Sequence, residues 1–229
     1  MPETPTIRIL HQGSGGESSS VIYAIDLPEH PFDLAEAVSG LHANVITVPV
    51  CNWDQSLTPW EAPALYREQS DFGGEAAATL QQLITETIPQ TEAQYGLHPA
   101  QRALAGYSLG GLFTTWAFLQ NDTFAAMASL SGSLWFPGWM EYCQHLCKSL
   151  SLQNRFAYFS VGTGEKRASS ATFRQVEANT QQTAELFEAV GAKVVFRTSP
   201  GKHFDHVTER WTAGFKALDS WLHQDNGRH

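Results

Sequence analysis

The chain has 229 residues, 42% of them hydrophobic and 16% charged, which is apolar material for one substantial core and too little charge for a disordered chain. Its formal net charge is −9 and its 14 Lys and Arg residues are scattered. That balance argues against nucleic acid and anionic membrane surfaces as partners, because phosphate recognition needs clustered cations.

No basic stretch followed by a long apolar run opens the chain, so neither a secretory signal nor a membrane-spanning segment is expected, and the location reads as cytoplasmic. Residues 6–11 read as an edge strand, followed by the turn 13–16. Strands 21–26 and 44–50 flank a helix expected over 33–41. Further strands are expected at 102–106, 125–130, 156–162 and 193–198. Helices are expected at 74–95, 109–120, 139–150, 172–190 and 207–223. The stretch 51–71 is aromatic and Pro-bearing without helical or strand period, and a loop of that length usually forms a site wall or lid. Alternating β and α segments with continuous apolar strands predict a mostly parallel central sheet with helices on both faces. No repeat or low-complexity linker interrupts the chain, so 1–229 reads as one domain. Cys51, Cys143 and Cys147 make no disulfide framework. Cys143 and Cys147, one helical turn apart around His145, read as helix thiols in a reducing compartment rather than as metal ligands.

Gly106-Tyr107-Ser108-Leu109-Gly110 fits G-x-S-x-G, the sequence of a strand that turns sharply into a helix with a strained serine at the corner. The context agrees: an apolar strand precedes the motif and the apolar run 112–119 follows it. The motif implies the α/β-hydrolase fold, with Ser108 as nucleophile and the Leu109 amide as first oxyanion-hole donor. In that fold the acid and then the base follow the nucleophile along the chain. His203 lies just past the last strand in a loop, which suits an imidazole that must reach Ser108. His206, three residues on and inside the next helix, is the competitor. Glu165 is the only carboxylate between Glu141 and Glu177 and follows the strand 156–162, where it would orient His203. A surface carboxylate paired with Lys166 or Arg167 is the competing reading.

The chain resembles the esterase family that includes esterase D-like and enterobactin-esterase-like proteins. Four blocks carry the likeness: Tyr95–Pro99 leading into Ala105–Leu112, Ser131-Gly-Ser-Leu-Trp135, Gly162–Glu165, and His203-Phe204 before a helix. The resemblance runs from about Val21 onward and implies that Ser108, His203 and Glu165 occupy the nucleophile, base and acid positions. One departure stands out. Where the family commonly has Asp-Gly after the first central strand, this chain has Asp26-Leu27-Pro28, and Pro28 has no N–H to give. The second oxyanion donor therefore falls to Leu27 or to the Asn52-Trp53 loop.

Trp53, Trp60 and Trp135 lie in loops expected at the carboxyl ends of the strands, where open α/β sheets bind ligands. They are read as walls of an aromatic pocket, with cover for the sheet edge as the alternative. The expected activity is carboxylic-ester hydrolysis of a small molecule through an acyl-enzyme on Ser108, with no metal or organic cofactor. An acyltransferase on the same scaffold, and an inactive binding module, are the rival readings. Oligomeric state is not legible.

Overall fold

The computed structural model describes residues 7–14, 19–28, 32–66, 69–168 and 170–225. Seven strands form one sheet: β1 (Arg8–His11), β2 (Val21–Asp26), β3 (Asn44–Pro49), β6 (Arg102–Tyr107), β7 (Ala126–Leu130), β8 (Phe156–Gly162) and β9 (Lys193–Ser199), in the order β1-β3-β2-β6-β7-β8-β9. Only β1 pairs antiparallel, against β3; the other five pairings are parallel. Residue 6 of the expected first strand and residues 15–16 of the turn after it lie outside the described residues.

Burial on both sides follows from the side-chain alternation of a strand. In β2, Tyr23 and Ile25 join the larger core, with Leu112, Phe113 and Phe118 of α4 (Leu109–Gln120). Ile22 and Ala24 point the other way, into a core closed by Trp211, Phe215, Leu218 and Leu222 of α7 (Val207–Asp225). The remaining helices are α1 (Trp53–Ser56), α2 (Ala76–Gln82), α3 (Ile88–Tyr95), α5 (Trp139–Leu146) and α6 (Val176–Ala189).

Three segments depart from expectation. No helix forms over 33–41. The segment runs through turns 35–40, and Gly40, at φ 75°, ends it. Leu34, Ala37, Val38 and Leu41 are nonetheless buried, so the 3.6-residue period identified the inward face of a stretch whose turns do not join into an α-helical ladder. The helix expected over 74–95 is α2 and α3 joined by a π turn, Leu83–Thr87, with the Ile88 amide donating to the Leu83 carbonyl. Pro89 has no N–H for the α bond to Thr85, and the wider turn absorbs the mismatch. The stretch 51–71 holds α1 and β4 (Glu61–Ala62), which pairs with β5 (Phe72–Gly73) in a two-stranded ribbon.

The chain builds outward from β2 in both directions, to β3 on one side and to β6 on the other. The crevice at the carboxyl ends of β2 and β6 is therefore a topological switch point, where α/β sheets place their ligands.

Candidate active site

Ser108 stands at that crevice, between β6 and α4. Its φ of 56° and ψ of −123° put a non-glycine residue in a sparsely populated backbone region that costs about 1–3 kcal/mol and persists only where the surroundings fix it. They do fix it. The Ser108 amide donates to the Leu130 carbonyl (3.1 Å), and its carbonyl accepts from the amides of Gly111, Leu112 and Ser133 at 2.9–3.1 Å. The corner also closes only around missing side chains: a Cβ on Gly106 would sit 2.2 Å from the Gly110 carbonyl oxygen, and one on Gly111 2.7 Å from Gly132 Cα.

His203 lies in the loop between β9 and α7. Its Nε2 is 3.0 Å from Ser108 Oγ, and its Nδ1 is 2.8 Å from Glu165 Oε2. Glu165 opens a 3-10 turn directly after β8 and is buried. Its other oxygen accepts from Ser131 Oγ (2.8 Å) and from the Gly162 amide (2.7 Å). Burial pushes this carboxyl up, but the bonds from His203, Gly162 and Ser131 outweigh that and hold it below the ordinary value. The Ser108, His203 and Glu165 side chains thus form one hydrogen-bonded chain. His206 is excluded from it: its ring is exposed and its Nδ1 lies 3.2 Å from Glu209.

Four further residues shape this chain. Ser133 Oγ is 3.4 Å from Ser108 Oγ. Arg210, in the first turn of α7, is almost fully buried. Its guanidinium donates to the carbonyls of Pro200 (3.3 Å), Lys202 (2.9 Å) and His203 (3.0 Å), and to Ser131 Oγ (2.9 Å), Tyr107 Oη (2.7 Å) and Ser199 Oγ (2.8 Å). Tyr107 donates its own hydroxyl proton to the His203 carbonyl. Phe204 packs edge-on against the His203 ring at 4.6 Å. Sequence reasoning missed Arg210, although a signal existed. Val207, Arg210, Trp211, Gly214, Phe215, Leu218 and Leu222 recur at helical spacing, so a charged residue stands within an inward apolar stripe.

Oxyanion donors and pocket walls divide. The Leu109 amide lies at the first position of α4, where a helix offers N–H groups without intrahelical acceptors. Leu27 reaches the same cavity, but its amide donates to Asp26 Oδ1 at 3.0 Å. The expectation that Leu27 supplies the second donor is corrected on that ground. The alternative loop, Asn52-Trp53, borders the cavity together with Ser108 and Leu109.

Trp135 lines a cavity of about 760 Å³ holding Ser108 and His203. Trp53 lines a second cavity of about 400 Å³ holding Ser108 and Leu109. Trp60 lines neither. Its Nε1 donates to the Pro137 carbonyl (2.8 Å), and its ring packs on Phe136 and Tyr142, so it covers the start of α5. Cys143 and Cys147 are buried free thiols. No helix among the described residues is long and apolar enough to cross a membrane.

A parallel sheet with one antiparallel edge strand, layered by helices, and a strained serine at a strand–helix corner define the α/β-hydrolase class. Residues 7–221 match the family described as Putative esterase, and the chain belongs to that family. Among solved structures it is similar to an IroE-like serine hydrolase from Shewanella oneidensis (TM-score 0.75, 20% identity, 93% of this chain and 74% of that one). It is similar too to the siderophore hydrolase EstA from Aspergillus nidulans (TM-score 0.70, 17% identity, 91% and 85%). A curated relative, the uncharacterized protein YbbA of Bacillus subtilis (strain 168), is 30% identical over 137 residues, or 58% of this chain. That match spans about half of the relative, 54% of its length.

Proposed function

We propose that the chain is a serine esterase that hydrolyses carboxylic esters through an acyl-enzyme on Ser108. The observation that carries this reading is the chain of contacts Ser108 Oγ to His203 Nε2 (3.0 Å) and His203 Nδ1 to Glu165 Oε2 (2.8 Å). Family membership supports ester hydrolysis in general.

His203 takes the Ser108 proton as Oγ attacks the ester carbonyl, then gives it to the leaving alcohol. Glu165 holds the Nδ1–H tautomer and stabilises the imidazolium. The Leu109 amide faces the developing oxyanion, and a second donor comes from the Asn52-Trp53 turn. A water activated by the same imidazole then releases the acid. Siderophore esters belong in the first substrate panel, because EstA is a siderophore hydrolase. Ser108→Ala should lower turnover of a short p-nitrophenyl ester by about 10⁴-fold or more and end labelling by a fluorophosphonate. Substantial retained turnover refutes the assignment.

A further inference from the structure

Ser108 is the residue common to the two cavities, and they differ in chemistry. The larger, about 760 Å³, is mostly apolar. It contains His203 and is walled by Trp135, Phe173, Val176 and Phe204, with Trp135 and Phe173 meeting edge to face at 4.7 Å. The smaller, about 400 Å³, contains Leu109 and is about half polar. Asn52, Asp54, Gln55 and Ser70 border it, and the Asp54 carboxylate accepts a hydrogen bond from Gln69 (3.1 Å).

Proton bookkeeping assigns the two halves of an ester to these two spaces. When Ser108 Oγ bonds to the carbonyl carbon, its proton moves to His203 Nε2. When the carbon–alkoxy bond breaks, its electron pair stays on the alkoxy oxygen, which takes that proton back from Nε2 and leaves as the alcohol. The alkoxy oxygen must therefore lie within hydrogen-bond reach of Nε2, on the side of Ser108 that opens into the aromatic cavity. The carbonyl oxygen faces the Leu109 amide. The acyl substituent, the fourth group on the tetrahedral carbon, is left with the smaller, half-polar cavity, which Trp53 and Leu27 also line.

Resting on the esterase reading above, we infer that the preferred substrate is an ester of a bulky, ring-bearing alcohol with a small, polar and non-anionic acid. Trp135 and Phe173 select the alcohol half, and Asp54 repels an anionic acyl half. The test compares two isomers with unactivated primary alcohols, 3-phenylpropyl acetate and ethyl 3-phenylpropanoate, each normalised to its rate of hydroxide hydrolysis. The first should show a kcat/KM at least tenfold higher. Trp135→Ala should lower that value about tenfold and lower ethyl acetate turnover by a clearly smaller factor. 3-Phenylpropyl hydrogen succinate should be turned over at least tenfold more slowly than the acetate, and Asp54→Asn should recover most of that loss.

Equal or reversed preference between the isomers, or a Trp135→Ala loss equally large for ethyl acetate, overturns the inference. In that event the esterase reading survives, provided p-nitrophenyl acetate is still hydrolysed and Ser108 still takes the fluorophosphonate. Loss of both removes the esterase reading and this inference with it.

Discussion

Arg210 commits its guanidinium to three carbonyls of one loop, those of Pro200, Lys202 and His203, and to two side chains that touch the rest of the site. Its distance to Glu165, 3.6 Å, makes it a weaker ion-pair partner than a hydrogen-bond donor. In the esterase reading it is a positioning residue, setting where the His203 ring stands. Misplacement of a reacting group by about 1 Å can cost about 10²-fold in rate. Arg210→Ala should therefore lower kcat about 10²-fold with KM within threefold, and millimolar guanidinium should restore part of the loss. A merely structural role would lower the melting temperature without that rescue. Glu165 carries a different signature. Folding holds its carboxyl below the ordinary 4.5, so it stabilises the fold fully above that value, and the contribution fades as pH falls through the depressed one. The melting temperature of wild type should exceed that of Glu165→Gln at neutral pH, and the gap should narrow below pH 4.5. Parallel curves down to pH 3 would show that the carboxyl is not held low.

At the level of elements, the serine corner depends on backbone contact where side chains are missing. A Gly106→Ala change puts a methyl about 2.2 Å from the Gly110 carbonyl, and relief requires β6 and α4 to part. Overpacking of this kind costs about 1–3 kcal/mol. The expected outcome is a soluble protein of lower melting temperature, labelled by fluorophosphonate more than tenfold more slowly; unchanged labelling would mean that the corner tolerates the methyl. This element was readable in the sequence because one pentapeptide encodes its geometry and the flanking apolar runs fix its neighbours. The strand 21–26 was equally readable, since the five consecutive apolar or β-forming residues Val21–Ile25, closed by Asp26, leave few alternatives. The 33–41 turns and the π turn were not. In both, the period of burial was right, while the hydrogen-bond pattern was decided by Gly40 and Pro89. Ser108, His203 and Glu165 could be named from motif, chain order and scarcity. Arg210 and Ser133 were harder to name: Arg210 acts on the His203 loop rather than on Ser108 itself, and Ser133 meets Ser108 through a loop 25 residues further along the chain. Leu27 failed as a donor for a local reason: its neighbour Asp26 takes the amide.

On the scale of the molecule, α7 ties two distant regions to one face of the sheet. Its first turn grips the His203 loop through Arg210. Two and a half turns later, Asp219 accepts from the backbone amides of His42 (3.0 Å) and Ala43 (2.7 Å), 177 and 176 residues away in sequence. Between them, Trp211, Phe215 and Leu218 seal the smaller core. Both clasps are buried polar groups in an otherwise apolar stripe, yet only one reaches the site, so their loss should separate stability from catalysis. Asp219→Ala leaves two amides without their acceptor, and each such buried group costs about 1–3 kcal/mol. Even about 2 kcal/mol in total should lower the melting temperature by about 4–8 °C for a chain of this length. Its kcat at 25 °C should stay within twofold of wild type, because the Arg210 contacts lie at the other end of the helix. Arg210→Ala should lower the melting temperature as well, since it strips buried carbonyls and hydroxyls of their donor, but it should also carry the loss in kcat that Asp219→Ala spares. If Asp219→Ala loses activity as steeply as Arg210→Ala while still folded at 25 °C, then α7 moves as one rigid lever on His203, and the division of labour along it is wrong.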